Sequence, residues 1–276
     1  MDWLSALQQL RADGTYAVLV TVVEARGHTP RDAGTKMVVG ADHAWGTVGG
    51  GNLEESAVQR ARELIAGEVR EAEQLHSRLT EHQRNRHGRQ CCGGEVRLLL
   101  EPLPPRPTVA VFGVGHVGYE LARILSRLEV RLHLVDSRAE QLDELRLAAV
   151  TEGSADVAVH RVVLGEAVLD QLPNGAHVVV MTHDHAEDFA LCDAALRRPG
   201  LGSVGLIGSS AKGSRFRRML AEQGHDAASI EHLTCPIGDP EIQGKEPAVI
   251  AVGVAAELLR SMQRCVVDAQ GRSIEA

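Results

Sequence analysis

The sequence predicts an α/β protein: an N-terminal α/β domain over residues 1–101, a Pro-rich linker over 102–107, and a Rossmann-like, doubly wound domain over 108–276. Three observations carry this. Val109–Phe112 is an unbroken apolar run, as in a strand buried on both faces, and it enters Gly113, Gly115 and Gly118 in the spacing G-x-G-x-x-G. Leu121, Ile124, Leu125 and Leu128 then repeat at helical spacing, and a second strand, Val130–Val135, ends in Asp136. Strand and helix patterns keep alternating beyond it, with the polar loops THDH and GSSAKGSR where strands end. Finally, the run PLPPRP, Pro102–Pro107, has four prolines in six residues and forms a stiff extended break.

The bulk composition bounds the function. A 276-residue chain with 44% apolar residues can bury real cores, and no 18-residue apolar run is present to span a membrane. The first residues, MDWLSALQQLRADG, are amphipathic with acids among them, unlike a signal or transit peptide. A net charge of −8 argues against nucleic acid or an anionic membrane as the main partner. Five cysteines without a C-x-x-C pair fit free thiols in a reducing compartment, so a cytoplasmic location is expected.

In chain order, Trp3, Leu4, Leu7 and Leu10 mark a short amphipathic helix ended by Gly14, and Tyr16–Val23 is a buried strand. The polar loop EARGHTPRDAG leads to a strand over Thr35–Val39 and a short strand or turn over Trp45–Val48. Gly49, Gly50, Gly51 and Asn52 open a helix running from Leu53 to Ile65. Asn52 is placed to cap it, with Glu54 and Glu55 in its first turn. Exposed N–H groups and the helix dipole converge on such a turn, and His28, Arg31 and Lys36 lie in neighbouring segments, so an anion site is expected there ahead of a plain capped turn. The charged, histidine-rich stretch Glu68–Gln90 has no zinc spacing and reads as solvated surface. Cys91, Cys92, Gly93 and Gly94 precede a strand, Glu95–Glu101. Cysteines are most often inert and buried, but a thiol beside two glycines leaves room for a bulky ligand, so a reactive or soft-metal-facing role is open to one of them.

In the second domain the three glycines suit a tight turn, close approach of backbone to a phosphate, and close helix–strand packing, while Asp136 stands where a ribose hydroxyl would be held. Helices are expected over Ala139–Leu147 and Glu166–Leu172, and strands within Val157–Val163, over His177–Met181 and over Ser203–Ile207. His183 and His185 lie on the loop after one strand and read as hydrogen-bonding groups rather than a metal site. Ser209, Ser210, Lys212 and Arg215 open a helix to Gln223 and suit either a phosphate or a capped surface helix. Pro247–Met262 is apolar nearly all round, so its burial between domains or subunits is expected.

Together, GHTPRDAGTKMVV, GTVGGGNLE, GRQCCGGEV, VFGVGHVG, LVDSR, MTHDHAEDF, LIGSSAKGSRF and CPIGDPEIQGKEPAVIAVGVAAELL resemble the XdhC/CoxI family, in particular its xanthine dehydrogenase accessory proteins. The doubled cysteine before Gly93 and Gly94 is similar to the xanthine dehydrogenase branch; the run at Gln243–Lys245 departs from the family's usual pattern and leaves Lys245 unassigned. The resemblance implies a dimeric chaperone for the molybdenum cofactor (molybdopterin). Such a protein shields the cofactor, supports its sulfuration by a cysteine desulfurase, and hands it to the molybdenum-binding subunit of xanthine dehydrogenase. It also implies that Cys92 holds the cofactor, with possible contact to molybdenum, and Cys91 beside it. The GGGN, CCGG and GSSAKGSR segments supply the kinds of group such a cargo needs, and their convergence on one cleft is an expectation. Two other readings stay open: an NAD(P)-dependent oxidoreductase using the glycine fingerprint and Asp136, and a sulfurtransferase carrying persulfide on Cys91 or Cys92. Against the oxidoreductase, neither tyrosine, Tyr16 or Tyr119, lies in a Y-x-x-x-K pattern, leaving His183 or His185 as the acid or base.

Overall fold

The computed structural model describes residues 1–78 and 94–270, with side chains to 263, so Cys91, Cys92 and Gly93 lie outside the described residues. The chain divides into two compact units, meeting in sequence at Pro105 and Arg106.

The first unit begins with α1 (Trp3–Ala12), whose entrance is capped by the Asp2 carboxylate accepting from the Leu4 and Ser5 N–H groups at 2.9 Å each. Strands β1 (Ala17–Arg26), β2 (Lys36–Val39) and β3 (Ala44–Gly46) precede α2 (Gly51–Ala66), and β4 (Glu73–Arg78) and β5 (Glu95–Leu103) follow. They form an antiparallel sheet in the order β3-β2-β1-β5-β4. β1 is central because it is the longest β-branched run, and Val18, Val20 and Val22 pack with Leu98 and Leu100 against Leu53, Ala57, Ala61 and Leu64 of α2. Within the stretch expected to be solvated surface, β4 is an edge strand whose residues alternate between half-buried and exposed. β5 also runs into the expected linker: Pro102 pairs with Val18, past Leu100, where pairing with β4 ends and a proline costs no ladder bond on that side.

The second unit is a six-stranded parallel sheet in the order β11-β10-β9-β6-β7-β8, a doubly wound arrangement. Its strands are β6 (Thr108–Phe112), β7 (Arg131–Asp136), β8 (Asp156–Arg161), β9 (His177–Val180), β10 (Ser203–Leu206) and β11 (Leu233–Thr234). On one face α3 (His116–Leu125), α4 (Glu144–Thr151) and the start of α9 (Pro247–Gln270) pack on Val109, Val111, Leu132 and Leu134. On the other, α5 (Glu166–Leu169), α6 (His185–Arg197) and α7 (Ser210–Glu222) pack on Ala110, Phe112, Val178 and Val180. α8 (Ala227–Glu231) and β11, which sequence patterning missed, are too short for a periodicity to register. The expected helix over Ala139–Leu147 is instead a 3-10 turn, Ala139–Leu142, and then α4, because Asp143 takes the cap position and accepts from Leu145 and Arg146. α9 buries Ala251, Val254, Ala255 and Leu258 in the sheet's core, but Val252 and Leu259 stay 48% and 40% exposed, so its burial is one-sided. Among the described residues no helix is long and apolar enough to cross a membrane.

On β7 and β8, His133 and His160 stack with ring centroids 5.1 Å apart and share a hydrogen bond of 3.0 Å. Burial, with the charges of His160 and Arg131 beside it, pushes the His133 imidazolium from its ordinary 6.5 down to about 4. The unfolded chain therefore takes up a proton near 6.5 that the folded chain refuses until about 4. Stability from this site is complete above the unfolded value and is lost as pH falls from 6.5 towards 4. Urea unfolding at pH 7.5 and pH 5 should show a loss of stability on acidification that is smaller in His133→Gln; equal losses in both proteins would contradict this assignment.

Candidate functional site

In the first unit the chain folds back on itself at two glycine-dependent contacts. Gly49, Gly50 and Gly51 all have positive φ, 135°, 71° and 59°, and swing the chain from β3 into α2. The Pro30 ring lies against this turn: a Cβ on Gly49 would stand 2.4 Å from Pro30 Cγ. On the other side of the same loop, a Cβ on Gly94 would stand 2.5 Å from the His28 carbonyl oxygen. The GHTPRDAG loop is thus flanked by the triple-glycine turn and by the point where the CCGG segment enters β5. Lys36, paired with Thr21 across β1 and β2, gives its Nζ to Thr21 Oγ1 at 3.0 Å.

Two expectations for this turn fail. Asn52 is not the cap. Gly50 takes that position, and Asn52 lies inside the first turn of α2, 8% exposed, with its Oδ1 buried and unpartnered. Nor is the turn an open anion site, because Glu54 Oε2 accepts from the Val48 N–H at 3.2 Å, the Gly50 N–H at 3.1 Å, and the Thr47 hydroxyl. The helix dipole draws in the nearest negative group, and a carboxylate four residues from Gly50 arrives without the entropy of association.

In the second unit the chemistry gathers at the carboxyl ends of β6, β7, β9 and β10. Gly113 has φ of +98°, and a Cβ there would stand 2.3 Å from the Met181 carbonyl oxygen. The loop after β6 therefore presses directly on the end of β9, at the switch point of the sheet. A Cβ on Gly118 would meet the Gly113 carbonyl oxygen at 2.1 Å, so this glycine serves helix–strand packing. Gly115 differs from both: the nearest atom to a Cβ there is Arg138 Nη2, 4.0 Å away. Packing of the chain on itself does not require its smallness; open space beside Arg138 remains.

Asp136 is 5% exposed and fully engaged. Its Oδ2 accepts from the Val114 N–H and Arg138 Nη2, both at 2.8 Å, and its Oδ1 from the Arg138 N–H at 3.0 Å and Nε at 2.9 Å. Burial alone would raise its proton affinity, but the bonds from Arg138 and Val114 hold the carboxyl below the usual range. With four donors on two oxygens, it has no acceptor left for a ribose hydroxyl.

After β9, Asp184 caps α6 by accepting from the Ala186 and Glu187 N–H groups at 2.6 and 3.0 Å. His183 and His185 point outward, their Nδ1 atoms 4.0 Å from Glu187 and 3.9 Å from Asp188. Among the described residues no group of three or more His, Cys, Asp or Glu side chains is placed to hold a metal. Behind them Asp188, fully buried, accepts from the Thr182 N–H and hydroxyl on Oδ1 and from Lys212 Nζ at 2.6 Å on Oδ2. Lys212 also donates to the Ile207 carbonyl at 3.0 Å and lies over the Phe216 ring. Lys212, at a helix start that suited either a phosphate or a surface cap, is turned inward as the partner of Asp188, while Ser209 caps α7 through the Lys212 N–H. Glu187, which sequence reasoning passed over, is half-buried between the two ion pairs, and burial raises its proton affinity. The signal available was its place in the first turn of a helix capped by Asp184 at a strand's carboxyl end.

The chain matches the family profile described as the XdhC Rossmann domain over residues 109–258, and that described as the XdhC and CoxI family over residues 10–76. It is 28% identical over 245 residues to the uncharacterized protein YqeB of Escherichia coli (strain K12). That match covers 88% of this chain and 43% of the relative, so the chain spans less than half the relative's length. A solved structure described as a xanthine dehydrogenase from Bacillus halodurans is similar at a TM-score of 0.46 and 17% identity, over 96% of each chain. The tRNA N6-threonylcarbamoyladenosine dehydratase of Escherichia coli, solved with ATP, is similar at 0.44 and 13%, over 60% of this chain and 88% of that one.

Removing one partner of the Asp188–Lys212 pair leaves a buried charge uncompensated. Lys212→Met should cost about 3–5 kcal/mol in urea unfolding, and Asp188→Asn combined with Lys212→Met should recover most of it. A single variant within about 1 kcal/mol of the parent would show that the pair is solvated rather than buried.

Proposed function

Because the chain belongs to the XdhC and CoxI family, we propose that it is a carrier in the maturation of xanthine dehydrogenase, with the molybdenum cofactor as its cargo. The observation that carries this reading over a nicotinamide enzyme is the state of Asp136. The acid that would hold a dinucleotide's ribose spends all its acceptors on Val114 and Arg138. The same unit still keeps open space at Gly115, so the glycine loop is suited to shape a pocket wall.

The cargo's needs are a soft donor for molybdenum, N–H and cationic groups for its phosphate, and hydrogen-bonding partners for the pterin. Cys92, with Cys91 before it in the sequence, is the proposed soft donor, two residues ahead of Gly94. Among the described residues, Cys192 and Cys235 are buried and burial pushes both thiols up, which disfavours a reactive thiolate at either. His183, His185 and Glu187 at the second unit's rim are the proposed hydrogen-bonding partners. In this reading the protein performs no turnover. It holds the cargo away from water, presents it to a cysteine desulfurase for sulfuration, and releases it to the molybdenum-binding subunit of xanthine dehydrogenase, acting as a homodimer.

The test is to purify the protein from cells that make the cofactor, oxidise the bound material and measure pterin fluorescence. The parent chain should carry pterin, Cys92→Ala should lose it about tenfold or more, and Asp136→Ala should lower thermal stability more than it lowers loading. A parent protein that carries no pterin yet binds NADH tightly would overturn the carrier reading.

A further inference from the structure

A cavity of about 340 Å³ opens in the second unit at the amino-terminal ends of β10 and β11, the end of the sheet opposite the rim described above. Its volume falls in the range of small-molecule pockets. Leu196, Leu201 and Val204 supply an apolar wall, and Arg197, Arg198 and His232 are the ionisable residues that line it, with no carboxylate among the lining residues. Arg197 is already neutralised, its guanidinium bonded to Asp193 at 2.9 and 3.0 Å. Arg198 is not. It gives Nη2 to the Leu172 carbonyl, its Nη1 is buried without an acceptor, and among the described residues no carboxylate pairs with it. An unpaired, partly desolvated cation is costly, the more conspicuously in a chain of net charge −8. Turning the free edge of the guanidinium into the cavity would gain it an anionic acceptor. Ser203, at the cavity wall, shares a hydrogen bond of 2.9 Å with His177 Nδ1. Burial lowers the proton affinity of that imidazole, and in the neutral tautomer that donates from Nδ1 the Ser203 hydroxyl hydrogen is free to donate to the same anion.

We infer that this cavity is a second ligand site, separate from the cargo site, for a small organic anion with an apolar body. The anionic head pairs with Arg198 and Ser203, and the body rests on Leu196, Leu201 and Val204. The inference does not rest on the carrier reading, since it uses neither the rim nor the CCGG segment.

The experiment titrates the full-length protein, labelled with nitrogen-15, with benzoate, phenyl phosphate, benzamide and inorganic phosphate, and follows the backbone amides of Gly200, Leu201 and Ser203. Benzoate or phenyl phosphate should shift these amides saturably, and whichever binds tighter identifies the head group as carboxylate or phosphate. Benzamide, which lacks the charge, and inorganic phosphate, which lacks the apolar body, should bind about tenfold more weakly or worse. Arg198→Met should lose about tenfold in affinity, while Arg197→Met keeps it. Should Arg198→Met not fold, Leu201→Trp, which fills the cavity, should abolish the shifts instead. The inference is overturned if neither anion moves these amides, if benzamide binds as well as benzoate, or if the Arg198→Met or Leu201→Trp protein binds like the parent.

Discussion

A buried carboxylate must be compensated where it stands, and the second unit compensates Asp136, at the end of β7, and Asp188, in the first turn of α6, from within. Asp136 closes on Arg138 and the Val114 N–H, and Asp188 closes on Lys212 and Thr182. These pairs sit on either side of the switch point that Gly113 pins against Met181. In water each would contribute little; desolvated, each binds its partner strongly and penalises any state in which it is broken. The geometry of the rim follows from them. Lys212 ties the start of α7 to α6, Thr182 ties the end of β9 to the same carboxylate, and Arg138 is held beside Gly115.

The first unit solves a related problem at the entrance of α2. Three consecutive backbone turns of positive φ expose N–H groups at a helix N-terminus, which is an anion site by construction. Glu54 fills it from inside the helix. In both units, then, some of the groups that sequence motifs advertise as ligand-binding are already engaged by the chain itself: the Val48 and Gly50 N–H groups, Asp136 and Lys212. What remains open is less conspicuous: the space over Gly115, the half-buried Glu187, and the approach of Gly94 to the GHTPRDAG loop.

The proposed carrier role draws on that distribution. A dehydrogenase built on this sheet needs the β7 acid free and a positioned acid or base beside the nicotinamide. Here the acid is spent, and the histidines of the rim are exposed on a loop whose capping residue, Asp184, is occupied with α6. On α9, Val252 and Leu259 stay exposed in the single chain.

The strand–helix alternation and the parallel sheet with its glycine turn are legible in the sequence because each is local. Period-two and 3.6-residue patterns, glycines and prolines act within a few residues of themselves. Elements too short for a period, such as α8 and β11, and boundaries set by a single cap, such as Asp143, were not. The site is legible only in its residue types. The sequence could name Asp136, Lys212 and Asn52 as polar groups at strand and helix ends, but not say whether they were free. That was decided in three dimensions, because a buried charge takes the nearest partner in space, and for Asp188 that partner stands 24 residues away. Tertiary structure alone therefore decided that Lys212 partners Asp188, moved Asn52 from the cap into the first turn of α2, and brought Glu187 near both ion pairs.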